Sequence, residues 1–226
     1  MLKSILGTKV GMTQIFDDRG NIVPVTVIAA GPCTVTAVLT KDKNGYTAVQ
    51  LGFGDIKEKA VSKPLAGQFK KNNIAVRRYL REFRATSVDG LTVGQEIKVD
   101  VFKPGDYVDI SGTSIGHGFA GAVKRHGFAG GPSTHGQSDR QRAVGSIGDQ
   151  GHQHVTKGHR MPGHLGCELV TIQRLRVVTV DAEKNIMLIE GAVPGVKKGL
   201  LAIANTVKKV KAPQVKAAPD KKKAKK

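Results

Sequence analysis

The sequence predicts a mainly β protein: an antiparallel barrel with a small helical insertion and one long irregular extension. Three observations predict it. Short runs rich in Val, Ile and Thr alternate apolar and polar residues over 1–110 and again over about 167–207, the period of half-buried strands. These runs follow one another across turn signals instead of alternating with helices, which favours antiparallel pairing and a small barrel. Between them, residues 111–166 hold half of the chain's 28 glycines, all seven histidines, six Lys or Arg and only two acids, Asp139 and Asp149, with no apolar period.

The body elements follow in order. IVPVTVIAA (22–30), TVTAVLT (34–40), YTAVQLGF (46–53), EIKVDVF (96–102), YVDIS (107–111), LVTIQRLRVVTV (169–180) and IMLIEGAV (186–193) read as strands. Asp17-Asp18-Arg19-Gly20, Lys43-Asn44-Gly45 and Ala182-Glu183-Lys184-Asn185 read as turns between them,. The helical insertion is expected at about 60–90. In NNIAVRRYLREFR (72–84), Val76, Tyr79, Leu80 and Phe83 share one helical face and Asn73 suits a cap,. Arg77, Arg78, Arg81 and Arg84 fall mostly on the other face, which is expected to meet RNA. From about 208 a Lys/Ala/Pro tail reads as disordered and polycationic,.

Composition narrows the function. The 226 residues carry a net charge of +18, a self-repulsion that a polyanion relieves, with nucleic acid ahead of an anionic membrane. Apolar content is 39% and aromatic content 4%, so the core is aliphatic. No apolar run approaches the roughly 18 residues of a membrane span, and no secretory leader is expected. Cys33 and Cys167 stand apart in no metal or redox pattern, and are expected to be buried, reduced thiols in a cytoplasmic protein.

Two enzyme fingerprints overlap in the extension. Gly112-Thr113-Ser114-Ile115-Gly116 fits G-x-S-x-G and Gly116-His117-Gly118-Phe119-Ala120-Gly121 fits G-x-G-x-x-G. A nucleophile elbow needs a strand, a turn and then a helix. Here four glycines follow Ser114 within about a dozen residues, each costing up to ~1 kcal/mol in a helix interior. No one histidine is singled out to complete a triad with Ser114 and Asp139 or Asp149. A dinucleotide site needs an acid at the end of a second strand. Asp139 has the distance, but SDRQRAVG is no strand. His152, His154, His159, His164 and Cys167 match no zinc-finger spacing. No metal, cofactor or small-molecule substrate is expected, and no enzyme; the hydrolase alternative is tested by Ser114→Ala.

The stretch suits RNA instead. Glycines such as Gly118 let backbone amides approach phosphates. Lys124, Arg125, Arg140, Arg142, Lys157 and Arg160 suit phosphate contacts. His117, His126, His135, His159 and His164, with Phe119 and Phe128, suit stacking on unpaired bases, while hydroxyls such as those of Ser114 and Ser146 suit 2′-OH groups. A stretch of ~55 residues without apolar period cannot order itself by burial. It is expected to be disordered alone, or ordered by what it penetrates.

GTKVGMTQIF (7–16), PVTVI (24–28), NGYTAVQLGF (44–53), VSKPLAGQF (61–69), REFR (81–84), VDISGTSIGHGFAGAVKRHGFAGGPSTHG (108–136), GSIG (145–148), KGHRMPGHLG (157–166) and GAVPG (191–195) closely resemble the bacterial type of large-subunit ribosomal protein three, in register to about residue 205. The resemblance implies a barrel of the translation-protein type and an extension, here 111–166, running inward along ribosomal RNA towards the peptidyl transferase centre. It implies direct binding of large-subunit ribosomal RNA, Lys9 included, a part in early subunit assembly, and neighbours among large-subunit proteins, notably those numbered fourteen and nineteen. It also implies that Gly148, Asp149, Gln150, Gly151 and His152 form the tip. There the chain departs from its relatives: Val144 replaces a Pro, and Asp149 stands where a Gln usually follows G-S-I-G. In some relatives that Gln is methylated. Gln150 aligns with it only if a gap falls just before it, so no methylated glutamine is expected. A carboxylate at Asp149 near phosphates needs a cation or a protonated histidine such as His152.

Overall fold

A computed structural model describes residues 3–17, 19–88 and 90–208. In chain order the strands are β1 (Ser4–Phe16), β2 (Ile22–Ala30), β3 (Cys33–Leu39), β4 (Ala48–Asp55), β5 (Arg77–Arg84), β6 (Glu96–Ile97), β7 (Tyr107–Thr113), β8 (Gly118–Ala120), β9 (Gly163–Leu165), β10 (Leu169–Asp181), β11 (Ile186–Glu190) and β12 (Leu200–Asn205). The helices are short: α1 (Lys41–Asn44), α2 (Lys63–Lys71) and α3 (Ala122–His126).

Six strands close into an antiparallel barrel in the order β1-β12-β7-β10-β11-β2. Alternation explains the closure. Each strand turns one set of side chains inward, and these are aliphatic: Ile5, Ile28, Ile110, Met187, Ile189 and Ile203 are all fully buried,. Register brings them into layers, with Ile203 opposite Ile5 on one side and Ile110 on the other. Burying each such side chain contributes about 1.5–3 kcal/mol. Among the described residues the one buried acidic side chain is satisfied: Asp109 accepts the N–H of Arg174 at 3.0 Å and of Val207 at 3.3 Å. Arg174 sits at the register shift between Ile172 and Leu175, where its φ is +61°, so the carboxylate takes a donor that the ladder leaves over.

The barrel does not use every body strand. A second sheet, ordered β5-β4-β3-β6, packs Val35, Val49 and Leu51 onto the same core, with Phe53 and Phe83 partly buried against it. α2 lies beside this sheet: Phe69 is buried, and Asn72 donates to the Thr36 carbonyl at 3.0 Å.

Four expectations are corrected. Residues 77–84 form β5, not a helix; they pair with β4 from Ala48↔Arg84 to Asp55↔Arg77. Tyr79 and Phe83 also keep the strand period, with Leu80 on the opposite face beside Phe69, and pairing with β4 decides between the two periods,. Its arginines suit an edge strand, where charge discourages further pairing. The helix of the insertion lies earlier, at α2, and Asn73, with φ +52°, follows its end instead of capping a start. The strand expected at 96–102 is only β6 and then a 3₁₀ turn over Val99–Val101, which buries Val99 and Phe102 on the core. Cys33 is buried, but Cys167 is exposed. The Lys-rich tail, from residue 209 on, lies outside the described residues.

Candidate nucleic-acid interface

The extension begins as a continuation of the barrel ladder. β7 and β10 pair as far as Thr113↔Leu169. Beyond them, the Ser114 N–H donates to the Glu168 carbonyl at 2.9 Å, and the Ser114 Oγ accepts the Glu168 N–H at 3.2 Å. The His117 N–H reaches the Leu165 carbonyl at 2.8 Å, and β8 and β9 then pair from Gly118↔Leu165 to Ala120↔Gly163. Glycine is required where the strands draw close: a Cβ on Gly166, whose φ is +82°, would lie 2.1 Å from the Ile115 carbonyl oxygen,. So the root of the arm has order of its own, contrary to the expectation for the whole segment. The missed signal was pairing that relies on backbone approach, which hydropathy does not register.

Past the root the chain is different. α3 ends at Gly127, φ +72°, in the left-handed cap that favours glycine,. From 128 to 160 there is neither helix nor strand, and nearly every residue is exposed. Its first contact is backbone to backbone. The Gly131 N–H donates to the Gln141 carbonyl at 2.8 Å, and a Cβ on Gly130 would lie 2.2 Å from that same oxygen. The Gly-Gly pair thus closes the loop that carries His135 and Arg140, with Arg142 just past its end. At the tip, Ser146 donates its hydroxyl to the Gly148 carbonyl at 3.0 Å. Asp149 meets His152 at 2.8 Å with both side chains well exposed, so this carboxylate does have the histidine partner expected for it.

The structure places the candidate residues unevenly. Lys124, Arg140, Arg142, Lys157 and Arg160 are exposed along the arm, as are His117, His135, His159 and His164. Phe119 is 81% exposed on β8, opposite His164 on β9. An exposed aromatic face of this kind is one on which an unpaired base can stack. Phe128 is half-buried and lies 5.9 Å from the His126 ring. Lys9 is turned to the body: its ammonium donates to the carbonyls of Val193 and Gly195 at 2.9 and 3.1 Å. It shares a recess with Ser114 and His117 at the foot of the arm. The four β5 arginines lie on the second sheet, apart from the arm. Arg77 is ion-paired with Asp55 and largely buried, whereas Arg78 and Arg84 are exposed over Tyr79 and Tyr46 at 5.3 and 5.6 Å. The Tyr46 hydroxyl donates to Glu82 at 2.8 Å, and that bond holds its pKa above the ordinary phenol value.

The enzyme fingerprints find no machinery. Ser114 hands its Oγ to a backbone N–H, and the chain after it runs into β8, not a helix. Among the described residues, no group of three or more His, Cys, Asp or Glu could hold a metal ion. No helix among them is long and apolar enough to cross a membrane.

Comparison with known proteins agrees with this surface. A protein of Endomicrobium trichonymphae named large ribosomal subunit protein uL3 is 54% identical, over 93% of this chain and 92% of that one. The chain belongs to the uL3 family. Proteins of the same name from Heliobacterium modesticaldum and Carboxydothermus hydrogenoformans are 53% and 54% identical, over 91% and 92% of this chain and 98% and 99% of theirs. The family model described as Ribosomal protein L3 matches residues 91–185, which include the whole arm. A uL3 protein is a structural constituent of the large ribosomal subunit and not an enzyme. Translation is therefore the setting of this chain.

Proposed function

We propose that this uL3 protein binds large-subunit ribosomal RNA directly, with the body (1–110 and 167–207) as anchor and the arm (111–166) threaded between RNA helices. The arm carries the reading: it leaves the barrel as an ordered hairpin and continues through 128–160 with exposed cations, glycines and little apolar surface. Such a segment gains packing only from a polyanion that surrounds it. Lys124, Arg140, Arg142, Lys157 and Arg160 contact phosphates, and Phe119 with His164 stacks on unpaired bases. The tip, Gly148 to His152, lies near the peptidyl transferase centre and organises RNA there without doing chemistry. Binding is early in assembly, beside the large-subunit proteins numbered fourteen and nineteen, on cytoplasmic ribosomes. Gln150 stays unmethylated; a tryptic peptide containing it at +14 Da would contradict that.

The test is sedimentation of native lysate through a sucrose gradient in high salt, probing for this chain. Binding through phosphate contacts alone weakens by roughly 10³–10⁵ on a fourfold salt increase, so an interlocked arm is recognised by retention with the large subunit. Free protein at the top, with core subunit proteins still bound, would contradict the reading.

A further inference from the structure

We infer that Arg125, seconded by His126, is a positioning residue: it latches the root of the arm before RNA is met and is not itself a phosphate contact. The inference rests on the proposed RNA-binding arm and divides that arm into a preformed stem and an RNA-ordered end. The stem ladder stops at Ala120↔Gly163, where the two strands part. Just beyond, α3 has five residues, far too few to persist by itself. What ties it down is one carbonyl. Arg125 Nη1 donates to the Met161 oxygen at 2.7 Å, and His126 Nε2 lies 3.0 Å from the same oxygen. One donor for each lone pair makes His126 the Nε2–H tautomer. α3 packs on β9 at this point, with Ala120 and Ala122 buried.

Gly163 completes the seat. A Cβ there would lie 2.7 Å from Arg125 Nη1 and 3.2 Å from its Cζ, so the guanidinium occupies the space that a side chain would fill. Arg125 is half-buried, whereas its neighbour Lys124 is exposed. Two adjacent cations therefore have different work. Lys124 faces the solvent in which RNA arrives, and Arg125 spends its fork inside the protein, fixing the direction in which 128–160 sets out.

The split is read by the salt dependence of binding of the full chain to a transcript of large-subunit ribosomal RNA. Losing a phosphate contact lowers the log–log salt slope by about one, while losing a positioning group weakens binding without changing it. Lys124→Ala is expected to lower the slope by about one. Arg125→Ala is expected to weaken binding roughly tenfold at every salt concentration, with the slope unchanged. Gly163→Val keeps every charge and fills the seat with more than a flexible fork can yield to, and is expected to act like Arg125→Ala. In the free chain, hydrogen exchange reports the stem directly. The Arg125 and Gly127 N–H groups, bonded to Gly121 and Val123, are expected to be protected in wild type and exposed in both variants. A slope lowered by Arg125→Ala, wild-type binding by Gly163→Val, or unprotected amides in the wild-type free chain would each overturn the latch. A Lys124→Ala slope equal to wild type, with the amides protected, would instead count against the RNA contacts of the arm and leave the latch standing.

Discussion

The barrel and the arm leave the same pair of strands and solve opposite problems. β7 and β10 hold Val108, Ile110 and Val177 in a sealed aliphatic core, where order comes from removing apolar surface from water. Further along, the same chain has Gly145, Gly148, Gly151 and Gly158 among exposed cations and histidines, and little apolar surface to remove. The stem between them is intermediate: it is ordered by backbone hydrogen bonds where glycines let chains touch. The difference teaches that a low hydrophobic content does not by itself mean disorder. It means that the ordering must come from the backbone or from another molecule; the stem uses the first, and on the proposed function the distal arm uses the second.

Removing the distal arm should separate the two regions most sharply. Met161 lies beside His126, so a short Gly-Ser linker can replace 128–160 without straining the stem. The body should fold, keeping its strand circular dichroism, while RNA affinity at moderate salt falls on the order of 10²–10³-fold with the lost phosphate contacts. Loss of the folded body would show that the two are not independent. In the opposite direction, Ile203→Ala strikes the core alone, where Ile203 faces Ile5 and Ile110. It should cost about 2–5 kcal/mol in denaturant unfolding, with the salt slope of RNA binding unchanged while the protein remains folded.

A smaller effect probes by pH how dry the core is where the second sheet packs on the barrel. Burial pushes the Cys33 thiol up from 9.0 to about 11. The unfolded thiol ionises first, so the contribution is fully present below pH 9 and is lost as pH rises from 9 towards 11, by about 1.4 kcal/mol per unit. Cys33→Ala should show a flatter stability profile over that window; parallel profiles would mean that water reaches the thiol. The smallest effect is at the tip. Asp149→Asn breaks a pair exposed at both ends, 69% for Asp149 and 64% for His152, and should change stability by less than ~0.5 kcal/mol. Assembly should stay normal, with only slight changes in the accuracy or drug response of peptide synthesis. Failed assembly in that variant would contradict a local role for the pair.

Sequence made the barrel legible wherever a strand has two distinct faces. IVPVTVIAA and IMLIE are short runs dense in aliphatic and β-branched residues, and both line the core. It misled where period and environment part company. In RRYLREFR the apolar spacing fits a helix, yet an unpaired edge of β4 was waiting for a strand. EIKVDVF alternates, but its apolar residues reach the core through a 3₁₀ turn. For the arm, residue types indicated cations and stacking groups, and most of these are exposed. They could not indicate that Arg77 and Lys9 turn to protein partners, because the identity of a cation does not reveal its nearest carbonyl or carboxylate. Nor could they reveal Gly163 as the seat of a guanidinium. That depends on two chains meeting across some forty residues.

The most direct test of the two-region account is ultraviolet cross-linking of purified large subunits, followed by mass spectrometry of the peptides joined to RNA. The account predicts cross-links concentrated between Phe119 and Arg160, with Phe119 and the exposed histidines prominent. Cross-links confined to the barrel and the second sheet, with the arm peptides free, would contradict it.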